Sequence, residues 1–280
     1  MTDNEYTREE KICFLGVGYC DRKHKDCDLC VREEEAYQAM LNNVFNLDCL
    51  DGMTKIPNQS IDMILCDLPY GQTARNRWDV AIPFDPLWEQ YNRIARDNAA
   101  IVLFANGIFT ANLIKSNEKM WRYNLVWQKT TPTGFLNSNR MPLRTHEDIC
   151  VFYKKPPVYN PQKSTGHPPV HSFTKHTGDG TNYGETKRGI HGGGSTERYP
   201  TSVLTFKTDK QKQSLHPTQK PVALCEYLIK TYTNVGDVVL DNCVGSGTTA
   251  IAAMNTKRNY IAFEKDHAIY KVAVTRLLNY

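Results

Sequence analysis

The stretch DVVLDNCVGSGTTAIAAMNTKRNYIAFE, Asp237 to Glu264, decides the fold. Asp237–Leu240 is a short apolar strand that ends at Asp241. Gly245-Ser246-Gly247 makes the turn into a helix through Asn255. A second strand covers Tyr260–Phe263 and ends at Glu264, and Asp266–Leu278 closes the chain as a helix. Strands that alternate with helices imply a parallel α/β sheet. Gly-x-Gly at a strand-to-helix junction lets a ligand approach the backbone closely. Glu264, at the end of the next strand, is placed to accept both hydroxyls of a ribose. No lysine follows the glycines, which excludes a P-loop. The turn does satisfy Gly-x-Gly-x-x-Ala with an acid about twenty residues on, the dinucleotide fingerprint. A nicotinamide-dependent oxidoreductase is therefore one reading.

Two features favour a different nucleoside cofactor. Asp241 stands four residues before the first glycine, where a carboxylate would face a pyrophosphate badly but would suit an ammonium group. Only sixteen residues follow Glu264, with no further strand among them. The missing strands are then expected from the N-terminal part, so that the sheet is circularly permuted and Val44–Asp48 lies next to Tyr260–Phe263.

Working outward, the N-terminal part supplies those strands. Ile61–Cys66 is an apolar run that reads as a buried strand, and it leads into Asp67-Leu68-Pro69-Tyr70. Open α/β sheets place ligands at strand C-termini of this kind. A carboxylate and a backbone carbonyl can both accept from an NH2 group, and a tyrosine can stack on the heterocycle that carries it. For that task the ring face of Tyr70 is needed and its hydroxyl is not. Gly71–Pro83 is polar and aperiodic and suits a loop over the site, with Arg75 and Arg77 in it. Helices are expected at Arg32–Asn43, Asp85–Arg96, Ile108–Asn117 and Pro221–Thr233, the last with proline in its first turn. Further strands are expected at Ala99–Phe104, Trp121–Lys129 and Glu147–Tyr153, the last two as a neighbouring pair.

From Lys154 to about Gln213 the texture changes to Gly, Pro, His, Ser, Thr and Lys without useful periodicity. An insertion is expected there. Between Lys154 and Lys220 stand eleven Lys and Arg against four acids, a charge of +7 that leaves −3 for the rest of a chain of net +4. A basic segment on a near-neutral body points to a polyanionic partner.

Met1–Lys11 is polar and carries no apolar segment of the signal-peptide type. The run Ala99–Ala105 is far too short to span a bilayer. No membrane association and a cytoplasmic location are expected. Of nine cysteines, those at 49, 66, 150, 225 and 243 lie in or beside apolar segments, as buried reduced thiols do. Cys13, Cys20, Cys27 and Cys30, with His24 among them, make a looser cluster in which Cys27-x-x-Cys30 can place two thiolates on one structural zinc.

DLPY at Asp67–Tyr70, HPTQKP at His216–Pro221, DNCVGSGTT from Asp241 and Phe263-Glu264 follow one another in this order. Together they resemble the β class of S-adenosyl-L-methionine-dependent DNA amino-methyltransferases, from about Val44 onward and excluding the insertion. The resemblance implies a circularly permuted, Rossmann-like class I methyltransferase fold, with helices on both faces of a mixed, mostly parallel sheet. Four regions are then expected: a cysteine-rich extension (1–36) that lies outside the resemblance, a catalytic half (37–153), a target-recognition insertion (154–213) and a cofactor-binding half (214–280). Asp67, Pro69 and Tyr70 would hold a flipped base. Asp241, Gly245, Gly247 and Thr248 would cradle the methionine end of the cofactor, and Glu264 the ribose. Asp48 and Cys49 would meet the adenine, and Thr218 and Lys220 the cofactor carboxylate. Leu68 departs from the proline of the family pattern but keeps the backbone carbonyl. The acid at the head of DLPY resembles adenine-specific members, whereas N4-cytosine members more often carry serine. Carbon-5 methylation is not indicated, because it needs a thiolate nucleophile and no Pro-Cys pair occurs. Duplex DNA is the implied partner. The resemblance admits a cognate restriction endonuclease, and either a monomer or a homodimer.

Overall fold

The computed structural model describes residues 28–71, 80–175, 190–208 and 219–280. In chain order the elements are α1 (Asp28–Met40), β1 (Asn43–Phe45), α2 (Cys49–Thr54), β2 (Ile61–Cys66), α3 (Phe84–Ile94), β3 (Ala95–Ala105), α4 (Ile108–Ser116), β4 (Trp121–Thr133), β5 (Arg144–Phe152), β6 (Phe173–Lys175), β7 (Ile190–Gly192), β8 (Val203–Phe206), α5 (Val222–Tyr232), β9 (Val238–Asp241), α6 (Thr248–Asn255), β10 (Asn259–Phe263) and α7 (His267–Leu278).

Eight strands form one sheet in the order β1-β10-β9-β2-β3-β5-β4-β8. Only β5 runs against its neighbours. The other contacts are parallel. The permuted order expected from the sequence is present: Asn43, Val44 and Phe45 pair in parallel with Ile261, Ala262 and Phe263. This register turns the ends of β1, β10, β9, β2 and β3 toward one edge, so Asp48, Glu264, Asp241 and Asp67 gather there.

Side-chain alternation along the strands divides the core in two. Ile64 and Cys66 of β2, with Ile101 and Leu103 of β3, pack on one face against Met53, Leu87, Tyr91 and Leu113 from α2, α3 and α4. Met63 and Leu65, with Val102 and Phe104, pack on the other face against Leu224, Leu228, Ala253 and Ala273 from α5, α6 and α7. Helices that precede β4 in the chain thus cover one face, and those that follow β8 cover the other. Near-continuous burial of β2, β3 and β9 is what a parallel sheet covered on both faces requires.

The expected elements are present with ends moved by a few residues, except at three places. A short helix, α2, opens directly after β1. Asp48 caps it by accepting from the Leu50 N–H at 2.9 Å. The stretch expected to lack strands, 154–213, contains the short pair β6–β7 and, in its last third, β8, which pairs in parallel with β4. β8 is a four-residue edge strand and leaves no periodic trace in sequence. The helix over Asp85–Arg96 ends at Ile94, because Ala95 turns extended and pairs with Ile61 at the start of β3.

The chain divides into two compact units, one of Met1–Asn160 with Ser202–Tyr280 and one of Pro161–Thr201. The second holds the antiparallel pair β6–β7. It also holds a bridge between Ser164 and Arg198 and a Lys163–Glu197 ion pair of 2.9 Å. Lys163 lies over the Tyr199 ring. No helix among the described residues is long and apolar enough to cross a membrane.

Candidate active site

Asp67 leaves the end of β2 with both carboxylate oxygens engaged. Tyr70 Oη donates to Oδ1 at 3.0 Å, and Lys220 Nζ donates to Oδ2 at 2.5 Å. Leu68 is 3% exposed and packs into the core beneath, which explains how an apolar residue is accommodated inside this tetrapeptide. The Tyr70 ring stacks on Phe109 at the start of α4, with centroids 4.6 Å apart. Burial, and then the negative charge of Asp67, push the Tyr70 hydroxyl well above the usual phenol range, so it remains a donor. Beyond the ring face expected from the sequence, the structure adds a hydrogen bond by which the Tyr70 hydroxyl holds the Asp67 carboxylate.

Lys220 is 8% exposed and ties Asp67 to two residues that the sequence reading missed. Its Nζ lies 3.2 Å from Glu147 Oε2, and Glu147 Oε1 is paired with Lys129 Nζ. The Asp67–Lys220–Glu147–Lys129 chain alternates in sign and sums to zero. Burial alone would lower the Lys220 pKa, but Asp67 and Glu147 outweigh it and hold the ammonium above the usual lysine range. Burial would raise Glu147, but Lys220 and Lys129 outweigh it and hold it below the usual carboxylate range. Charges this buried persist only when paired. A lysine at the end of one apolar strand and a glutamate at the start of the next, Lys129 and Glu147, were the available signal.

The glycine turn lies beside this chain of charges. Gly245 (φ +53°) and Gly247 (φ +85°) are both left-handed, which glycine adopts without strain. A Cβ built on Gly245 would meet nothing within 4 Å. Glu264 receives the Gly245 N–H at 3.1 Å and the Asp266 N–H at 2.9 Å, so it ties the turn to the end of β10. Burial raises its pKa against the pull of those two donors. Arg276 of α7, also missed in sequence, donates to the carbonyl and hydroxyl of Ser246 and to Thr248 Oγ1 at 3.0–3.2 Å. It holds the turn from behind. Asp241 is 5% exposed. It accepts from the Cys243 N–H, yet burial still pushes it up to about 6.

Cys49 is buried close to Cys243, and burial raises the pKa of Cys66 to about 12. These thiols therefore stay protonated. Asp48 pairs with Lys265 at 3.0 Å. Gln219 accepts from Ser246 Oγ, while its Nε2 is buried with no partner among the described residues. An open turn, a buried acid with no cation paired to it among the described residues, and an orphaned buried donor together fit a ligand that carries an ammonium and a carboxylate. Thr218 lies outside the described residues, as do Cys13, Cys20 and Cys27. Of Cys30 only the backbone, in α1, is described. Among the described residues no group of His, Cys, Asp or Glu could hold a metal ion.

A permuted, mostly parallel sheet with such a turn, and with a charge-locked acid at the end of the neighbouring strand, defines a class I methyltransferase. Comparison with known proteins narrows the class. A family profile described as DNA methylase, of the N6/N4 type, matches residues 61–275. The chain belongs to this family and is a DNA methyltransferase that acts on exocyclic amines. The match also removes the nicotinamide reading of the glycine turn.

Among relatives, the type II methyltransferase M.HinfI of Haemophilus influenzae is 27% identical over 274 residues, covering 87% of this chain and 70% of that protein. M.HindIII of Haemophilus influenzae is 23% identical over 304 residues, covering 85% and 96%. The fold is shared with the M1.HpyAVI–SAM complex (TM-score 0.55, 23% identity, 84% of this chain and 98% of that one). It is shared too with the cytosine-N4-specific PvuII DNA methyltransferase (TM-score 0.60, 15% identity, 84% and 85%).

Proposed function

We propose that this chain methylates the 6-amino group of adenine at specific sites in duplex DNA, with S-adenosyl-L-methionine as donor. The observation that carries the reading is Asp67, held at a strand end by Lys220 and Tyr70 beside the glycine turn. Asp241 would receive the cofactor's ammonium group, Gln219 its carboxylate and Glu264 its ribose, and Gly245 leaves space above the turn. Once bound, the cofactor supplies an electrophilic methyl group on a sulfonium centre. The chain's residues do the rest. A paired adenine cannot present its amine, so the base must leave the stack. Tyr70, backed by Phe109, offers the aromatic face that receives it. Asp67 and the Leu68 carbonyl accept the two amine hydrogens, which draws the nitrogen lone pair out of the ring and aims it. Lys220 and the Tyr70 hydroxyl keep Asp67 from rotating, so the contribution is orientation and electrostatics.

The unit 161–201, within the basic stretch, is our candidate for target recognition. Cys13, Cys20, Cys27 and Cys30 are proposed as ligands of one structural zinc. Elemental analysis of protein purified without chelator tests that, and absence of stoichiometric metal refutes it. The function itself is tested by expression in a methylation-free host, followed by nucleoside mass spectrometry and mapping of modified bases. 6-Methyladenine at one short sequence is expected. N4-methylcytosine alone would overturn the base assignment.

A further inference from the structure

The turn joining β4 to β5 takes no part in the chemistry above, yet it springs from the site. Lys129 of β4 and Glu147 of β5 are both in the buried charge chain, and the two strands continue past them to pair again at Thr133 and Arg144. At about 3.3 Å per residue, Arg144 lies roughly 10 Å beyond Glu147. The tip that follows is ordered. Asn137 N–H bonds to the Gly134 carbonyl, Ser138 to Phe135, and Arg140 and Met141 both to Asn137, at 2.9–3.1 Å. A tip built this firmly presents its large apolar side chains outward: Leu136 is 102% exposed, Phe135 69% and Met141 55%. From Thr130 to His146 there is no acid, while Arg140 and Arg144 are present. Both arginines are exposed and in no ion pair among the described residues.

Apolar side chains held out on a hydrogen-bonded, basic turn at the edge of a site that needs an unstacked base are chemically matched to the base stack of a duplex. A second copy of the chain is the poorer occupant. A two-fold contact would bring the same arginines of both copies together with no acid in the tip to oppose them.

We propose that residues 134–143 are the wedge that opens the duplex. Leu136 and Phe135 enter the stack where the target base leaves it, and Arg140 and Arg144 hold the flanking phosphates. This rests on the base-flipping reading above.

The test uses the full chain and a synthetic duplex carrying whichever site and base the wild type methylates, so an error in the adenine assignment does not affect it. Single-turnover methylation by the Phe135→Ala/Leu136→Ala variant is measured on that duplex and on the same duplex with an abasic site opposite the target. Unstacking is cheapest for an unpaired base. The variant is therefore expected to lose about tenfold or more on the paired target and less than about threefold on the unpaired one. Equal losses on both, or no loss, would overturn the proposal. So would a change of oligomeric state in sedimentation that accounts for the loss. Arg140→Ala/Arg144→Ala should lower the slope of log affinity against log salt by about two, and an unchanged slope would remove the phosphate contacts.

Discussion

Asp241→Asn separates stability from cofactor binding, and its size follows from the structure. The Asp241 carboxyl has an ordinary value of 3.8 and is pushed up to about 6 by burial at the end of β9. A folded pKa above the unfolded one means that the stability contributed by the protonated form is fully present below pH 3.8 and lost as the pH rises through 6. The difference of about two units corresponds to roughly 3 kcal/mol, at about 1.4 kcal/mol per unit. At neutral pH the free protein thus carries an ionised, buried acid in no ion pair among the described residues, and the proposed cofactor ammonium would supply its cation. Asparagine removes that cost but cannot accept at both side-chain atoms, so about 1–2 kcal/mol of net stabilisation is expected at pH 7. Thermal melts of both proteins across pH 4–8 are the assay. The advantage of the variant should be small near pH 4 and complete by pH 7, about 3–6 °C in Tm. Binding of S-adenosylhomocysteine by the variant, measured by calorimetry, should weaken tenfold or more. A Tm difference that stays flat with pH, or a variant that binds as tightly as wild type, would refute the reasoning.

Asp67→Ala should cut methyl transfer about 100-fold or more while the protein still binds S-adenosylhomocysteine; near wild-type turnover would sink the central assignment. Tyr70→Phe keeps the ring on Phe109 but frees Asp67 Oδ1, and about a tenfold loss in kcat is expected for a hydrogen bond to a charged group; unchanged kcat would restrict Tyr70 to stacking. Glu147→Gln leaves Lys129 and Lys220 short of a carboxylate. Removing one partner of a buried pair costs roughly 3–5 kcal/mol at full burial, and about 2–3 is expected in urea unfolding because Glu147 keeps 13% side-chain exposure. Lys220 stability is present below about pH 10.5 and lost as the pH rises through its raised value, so the same variant should bring the alkaline loss to lower pH. Adding Lys129→Met should recover at least about 1 kcal/mol, and a double variant weaker than the single would contradict the charge chain. Glu264→Ala should weaken cofactor binding far more than DNA binding, which paired calorimetry and gel-shift titrations would show; equal losses would mean that the glycine turn collapses without its tie to β10.

The sequence by itself determined whatever depends on neighbours along the chain. Apolar runs and their flanking glycines and prolines marked the strands and helices within a few residues. The turn at Gly245–Gly247 was readable because left-handed backbone demands glycine. The permuted sheet was readable from the order of the motifs, with DLPY ahead of the glycine turn, and β1 pairs beside β10 accordingly. Tertiary structure alone decided which charges meet. Asp67 and Lys220 stand 153 residues apart, and nothing local in either says that Glu147 lies on the far side of the lysine. Electrostatic pairing inside a low-dielectric core selects by distance in space, to which periodicity is blind. The same holds for β8, an edge strand that pairs with β4 while its own four residues are too few to carry a pattern, and for the Tyr70 hydroxyl, whose role depends on where the Asp67 carboxylate turns.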